Sequence, residues 1–248
     1  MPNPNPKLIL DIASMGVASE LFLNDMLVFR DSQGRGRTLS TFYNPLAVDG
    51  VNTVRLRATG FGSDPNSVRS FSVEVKDGGQ QQAYSFSNHA VEAGQVVQDT
   101  GQFSLAFPPG KWRWLSAPNI KMDNEMRRAI WSEVETVHAA LAGRDLPRVM
   151  AAFALKNQEL AQAYGVPRGQ VESSLQDTLQ AAFADPSWGM QPIIVTNSIF
   201  EPLAAQRAMA VHAIDGRCIL RSLRYGDEDV LEIGLVFARL DERWQIVR

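Results

Sequence analysis

The chain carries three histidines, His89, His138 and His212, and one cysteine, Cys218. A histidine or carboxylate held in an apolar pocket titrates near working pH and does acid–base chemistry. His212, inside AMAVHAID at Ala208–Asp215, is the first candidate for that role and His138 the second. Trp131 and Tyr225 are the aromatic residues suited to lining such a pocket. The competing reading makes His212 a satisfied core or surface residue, because no carboxylate stands at a telling spacing from it and Asp215 suits a turn. The histidines lie too far apart in sequence for a metal-ligand pattern, so no metal is expected. No base is in view to activate Cys218, which reads as a buried thiol. Gly34-Arg35-Gly36 and Gly60-Phe61-Gly62 open no helix and form no phosphate loop. No cofactor is expected. His212 stands as an alternative catalytic residue, and Trp131, His138, His212 and Tyr225 as candidate ligand contacts.

Composition narrows the classes of partner. A net charge of −3 and a pI near 5.7 give no electrostatic reason to bind nucleic acid or an anionic membrane. A single cysteine excludes an intramolecular disulfide. The start, MPNPNPK, has no apolar core of signal-peptide length, and no apolar run reaches the roughly 20 residues of a spanning helix. A cytoplasmic location is the default expectation.

The elements that must position these residues fall into two groups. From Leu8, strand-like segments follow one another: LILDIAS, ELFLNDMLVFR, NTVRLRATG and SFSVEVKD. Asn24-Asp25, Asp49-Gly50 and Asp77-Gly78-Gly79 supply turns. Val54, Leu56 and Ala58 alternate with Arg55 and Arg57, and Phe71, Val73 and Val75 repeat the pattern. Further strands are expected at Ala83–Ser87, Gln95–Asp99, Gln102–Phe107 and Lys111–Leu115, the last with Trp112 and Trp114 on one face. They are an aromatic platform or, on the competing reading, part of a sandwich core or of the seam between the two domains. Short strands with frequent turns predict an antiparallel β-sandwich over residues 7–118. Ser116-Ala117-Pro118-Asn119 reads as a linker.

The second group spans residues 123–248. Asp123 or Asn124 caps a helix whose apolar stripe is Met126, Ile130, Val134, Val137 and Leu141, ended by Gly143. Asp145 and Pro147 open a second helix that continues to about Ala163, and Gly169–Phe183 forms a third. Strands are expected at Pro192–Phe200, Gln206–Ile214, Arg217–Tyr225 and Val230–Leu240, then Trp244–Val247 after a turn at Asp241-Glu242-Arg243. Helices followed by a strand meander predict a two-domain α+β protein, its C-terminal helices packed on a curved antiparallel sheet.

Two resemblances accompany these patterns. ELFLN at Glu20–Asn24 and NPLAVDGVNTVRLRA at Asn44–Ala58 resemble the jelly-roll sandwiches found beside glycosidase catalytic domains. Asp25 stands where such modules usually have glycine. The resemblance implies that Asn52 satisfies backbone groups beside the turn, and it implies nothing about sugar binding. Ala140–Leu146 and the ending FARLDERWQIVR at Phe237–Arg248 resemble the nuclear-transport-factor-like, or cystatin-like cone, superfamily. That resemblance implies a pocket between sheet and helices, used by some members for acid–base catalysis and by many only to bind or to dimerise.

Two function classes follow. One is a non-enzymatic binding or interaction protein, of which a bacterial immunity or secretion-accessory protein is an example, with a protein partner or self-association into a homo-oligomer and without nucleic acid or membrane. The other is a small-molecule isomerase or hydrolase with His212 as its acid–base.

Overall fold

The computed structural model describes residues 8–62, 67–77, 82–105, 111–223 and 230–248. The tail before Leu8, the Gly78-Gly79 turn, Tyr225 and the connector Gly226–Asp229 lie outside the described residues. Two compact units, Met1–Lys111 and Trp112–Arg248, divide the chain. The protein is α+β, with four antiparallel sheets and four α-helices among the described residues, the helices all in the C-terminal half.

The first unit contains β1 (Ile9–Met15), β2 (Val17–Leu23), β3 (Met26–Asp31), β4 (Arg37–Phe42), β5 (Val51–Gly60), β6 (Ser70–Lys76), β7 (Gln82–Asn88) and β8 (Val96–Ser104). They form two four-stranded sheets, ordered β4-β1-β6-β7 and β3-β2-β5-β8. The period-two pattern has the expected consequence. Val54, Leu56 and Ala58 are buried while Arg55 and Arg57 are exposed, and Phe71, Val73 and Val75 are buried on β6. Asn24 (φ 51°) and Asp25 (φ 59°) make the two-residue turn between β2 and β3.

Asn52 is fully buried and closes the loop before its own strand. Its Oδ1 accepts from the Val48 N–H at 2.8 Å and its Nδ2 donates to the Val48 carbonyl at 3.0 Å. It also accepts from Asn24 Nδ2 at 2.8 Å, while the Thr53 N–H donates to Asn24 Oδ1 at 2.9 Å. Two asparagines thus satisfy a turn and a strand start together.

Some strands differ from expectation. Among the described residues, the two strands anticipated at Gln95–Asp99 and Gln102–Phe107 are one, β8. Gly101 does not interrupt it; there a Cβ would sit 2.1 Å from the Tyr84 ring, so glycine serves close approach rather than a turn. The Tyr84 hydroxyl donates to Asp99 at 2.5 Å across the β7 and β8 edges, and its pKa is raised by burial and by that carboxylate. The expected strand at Lys111–Leu115 is instead a 3-10 turn over Arg113–Ser116. Trp112 and Trp114 are both buried, and the Arg248 guanidinium lies 5.4 Å and 5.9 Å from their ring centres. Buried rings are core rather than a platform.

The second unit contains α1 (Asn124–Ala142), α2 (Leu146–Ala152), α3 (Ala154–Tyr164) and α4 (Arg168–Ala184), followed by β9 (Ser198–Leu203), β10 (Ala208–Ala213), β11 (Leu220–Arg221), β12 (Glu232–Ile233), β13 (Leu235–Leu240) and β14 (Arg243–Ile246). Asp123 caps α1 by accepting from the Met126 N–H, and Asp145 caps α2 by accepting from the Arg148 N–H. The second expected helix is divided at Phe153, which ends α2 and begins α3 with its ring in the core. Gly165 (φ 63°) ends α3 in the left-handed conformation.

The main sheet runs β14-β13-β10-β9, and β11 pairs with β12 separately. Ile130, Val134, Val137 and Leu141 of α1 share one buried cluster with Met209, Val211, Phe237 and Ile246 of the sheet. That helix stripe therefore covers one sheet face. The segment after Trp112 is tied to the same unit. Arg207 Nη1 donates to the Leu115 carbonyl at 2.8 Å, and the Ile120 N–H donates to the Gln206 carbonyl at 2.7 Å.

Candidate functional site

His212 lies on β10, and its partner comes from the neighbouring strand. The β9–β10 register sets His212 opposite Ile199 and Ala210 opposite Glu201. Glu201 and His212 are therefore diagonal neighbours on one face. His212 Nε2 is 3.0 Å from Glu201 Oε2, and Nδ1 is 3.1 Å from the Ala213 carbonyl. Met209 and Val211 alternate with His212 and enter the cluster under α1, so the pair occupies the other sheet face. An oriented imidazole beside a carboxylate is chemically able to move a proton.

The other expected contacts are occupied locally. His138 Nε2 sits 2.9 Å from the Gln191 carbonyl; a carbonyl only accepts, so that nitrogen carries the proton. Trp131 Nε1 donates to Glu135 one turn along α1 at 2.8 Å. Tyr225 lies outside the described residues.

A second arrangement has no counterpart in the sequence patterns. A cavity of about 580 Å3 is walled by α3, α4, the α2 end at Val149 and Phe153, and the β12 segment Leu231–Gly234. From α3 come Asn157 and the stripe Lys156, Leu160 and Tyr164, which share a helical face at spacings of four and eight. From α4 come Val171, Leu175 and Leu179, again one stripe. Trp131, His138 and His212 are not among its lining residues.

The polar groups of this cavity are few. Lys156 forms no ion pair among the described residues, and its Nζ is 5.4 Å from the Phe153 ring centre. Burial among apolar walls strips water from the ammonium, and Arg248 repels it, so its pKa falls to about 8. Asn157 is buried, and its Nδ2 has no hydrogen-bond partner among the described residues. Burial likewise raises the Tyr164 hydroxyl. The carboxylate of Glu159, also on α3, is 2.6 Å from Arg248 Nη1 and is already engaged. Glu232 also lines the cavity and is exposed.

Two residues of these sites carry no strong signal in the sequence. Glu201 is separated from His212 by a hairpin, and only its register reveals the pairing. Lys156 looks like any solvated helical lysine; its i, i+4, i+8 relation to Leu160 and Tyr164 is the one usable signal.

No family model matches this chain, and neither a curated protein nor a solved structure matches it.

Proposed function

We propose that this protein is a binding protein whose C-terminal unit takes a small molecule into the helix-walled cavity. The observation that carries the reading is the cavity itself, about 580 Å3 with predominantly apolar walls and a few polar groups. Small-molecule sites typically occupy about 300–1,000 Å3 with that composition. The order of helices and strands in this unit is compatible with a cone-like domain. The two four-stranded sheets of the first unit are compatible with a β-sandwich that acts as an interaction module toward a protein partner or a second copy.

A second reading, a small-molecule isomerase or hydrolase, draws support from the 3.0 Å contact between His212 and Glu201. It is the weaker reading, because that pair and the cavity do not share residues.

Native mass spectrometry of the purified protein reports a retained molecule and the assembly in one spectrum. Fluorescence titration with N-phenyl-1-naphthylamine, a neutral apolar dye, tests the cavity directly. The binding reading expects saturable dye uptake by the native protein, lost when Leu175→Trp fills the cavity. No uptake, or uptake unchanged by that substitution, overturns it.

A further inference from the structure

We propose that the cavity is a site for a long-chain carboxylate, with the headgroup held by Lys156 Nζ and the aliphatic chain laid between α3 and α4. This inference rests on the binding reading above. The apolar wall supplied by Leu160, Val171, Leu175 and Leu179 fits an alkyl chain. Lys156 presents three donors and a charge with no carboxylate paired to it among the described residues.

The chain's own carboxylates do not answer this need. Glu159 is engaged by Arg248, and Glu232 is exposed. The single charge of the ammonium matches a monoanion. A neutral alcohol would leave the ammonium without a counter-charge.

Displacement of N-phenyl-1-naphthylamine by decanoate and by decanol, two ligands of equal chain length, separates headgroup from chain. The expected result is displacement by decanoate at a concentration at least about tenfold lower than decanol, the scale of a hydrogen bond to a charged group. In Lys156→Met the ratio falls to about one. Equal displacement by the two ligands in the native protein overturns the headgroup assignment while leaving the cavity reading intact. A ratio unchanged in Lys156→Met also overturns it. Absence of dye binding removes the cavity reading and this inference with it.

Discussion

Glu159 of α3 and Arg248 form a buried ion pair, with Oε2 and Nη1 2.6 Å apart and the glutamate side chain 3% exposed. The same carboxylate accepts the Arg113 N–H at 2.7 Å through its other oxygen. One side chain therefore ties α3 to the segment after Trp112 and to the strand end beyond β14. Removing one partner of a buried pair leaves the other charge unsolvated and costs about 3–5 kcal/mol. Glu159→Ala is expected to lose that much, and Glu159→Gln less, because the amide still offers Arg113 an acceptor. All five tryptophans lie in the unit Trp112–Arg248, so tryptophan fluorescence in urea follows this unit alone. A loss below about 1 kcal/mol for Glu159→Ala would show that water replaces the carboxylate and that the pair is not structural.

In the first unit the comparable device is neutral. Asn52 bonds both backbone groups of Val48 and the side chain of Asn24. Asn52→Leu keeps the volume and leaves the half-buried N–H and carbonyl of Val48 without their partner, each worth about 1–3 kcal/mol. The expected cost is about 2–4 kcal/mol, read from the urea midpoint of the β signal in circular dichroism. Tryptophan fluorescence is blind to this unit and should report little change. A shift confined to fluorescence would contradict the assignment of Asn52 to the first unit.

The pair Glu201 and His212 is partly exposed, with side chains 22% and 13% accessible. Its coupling is therefore expected to be small, about 0.5–1 kcal/mol in a double-mutant cycle of Glu201→Ala and His212→Ala. Both single variants should fold. Their dye uptake should equal that of the native protein, because neither residue lines the cavity. Dye uptake lost in His212→Ala with the fold intact would join the two sites and favour the enzymatic reading.

Much of the fold is legible in the sequence because caps and periodicity are local. Asp123, Asp145 and Gly143 mark helix ends by chemistry that acts within one turn. The β13–β14 turn is legible for the same reason: Asp241 (φ 49°) and Glu242 (φ 63°) adopt the left-handed conformation beside Leu240. Strand β4 was not legible. Nearly every residue of Arg37–Phe42 is exposed, so it carries no alternation and is held by pairing with β1. Among the described residues, the strand expected over Arg217–Tyr225 is the two-residue β11, and the one expected over Val230–Leu240 is divided into β12 and β13. The candidate sites are the least legible part. His212 announces its chemistry by type, but its partner is set by register. Lys156 is distinguished only by what surrounds it, and surroundings are a tertiary property.

Lys156 also makes a prediction that needs no ligand. Its pKa is about 8 in the folded protein against 10.5 for a free lysine side chain. Below pH 8 both folded and unfolded chains hold the proton, and the cost of burying the ammonium is fully present. Between pH 8 and 10.5 the folded protein has released the proton while the unfolded chain keeps it. The unfolded state then binds more protons, so this residue makes stability rise with pH across that window. Other groups titrate there too, Cys218 and Tyr164 among them, so the comparison is made against Lys156→Met. The variant is expected to be more stable than the native protein by about 1–2 kcal/mol at pH 7. The difference should shrink toward zero as pH approaches 10.5. Urea unfolding by tryptophan fluorescence at pH 7, 8.5 and 10 measures it. A variant less stable than the native protein at pH 7, or a difference independent of pH, would mean that the ammonium is solvated and the cavity wet.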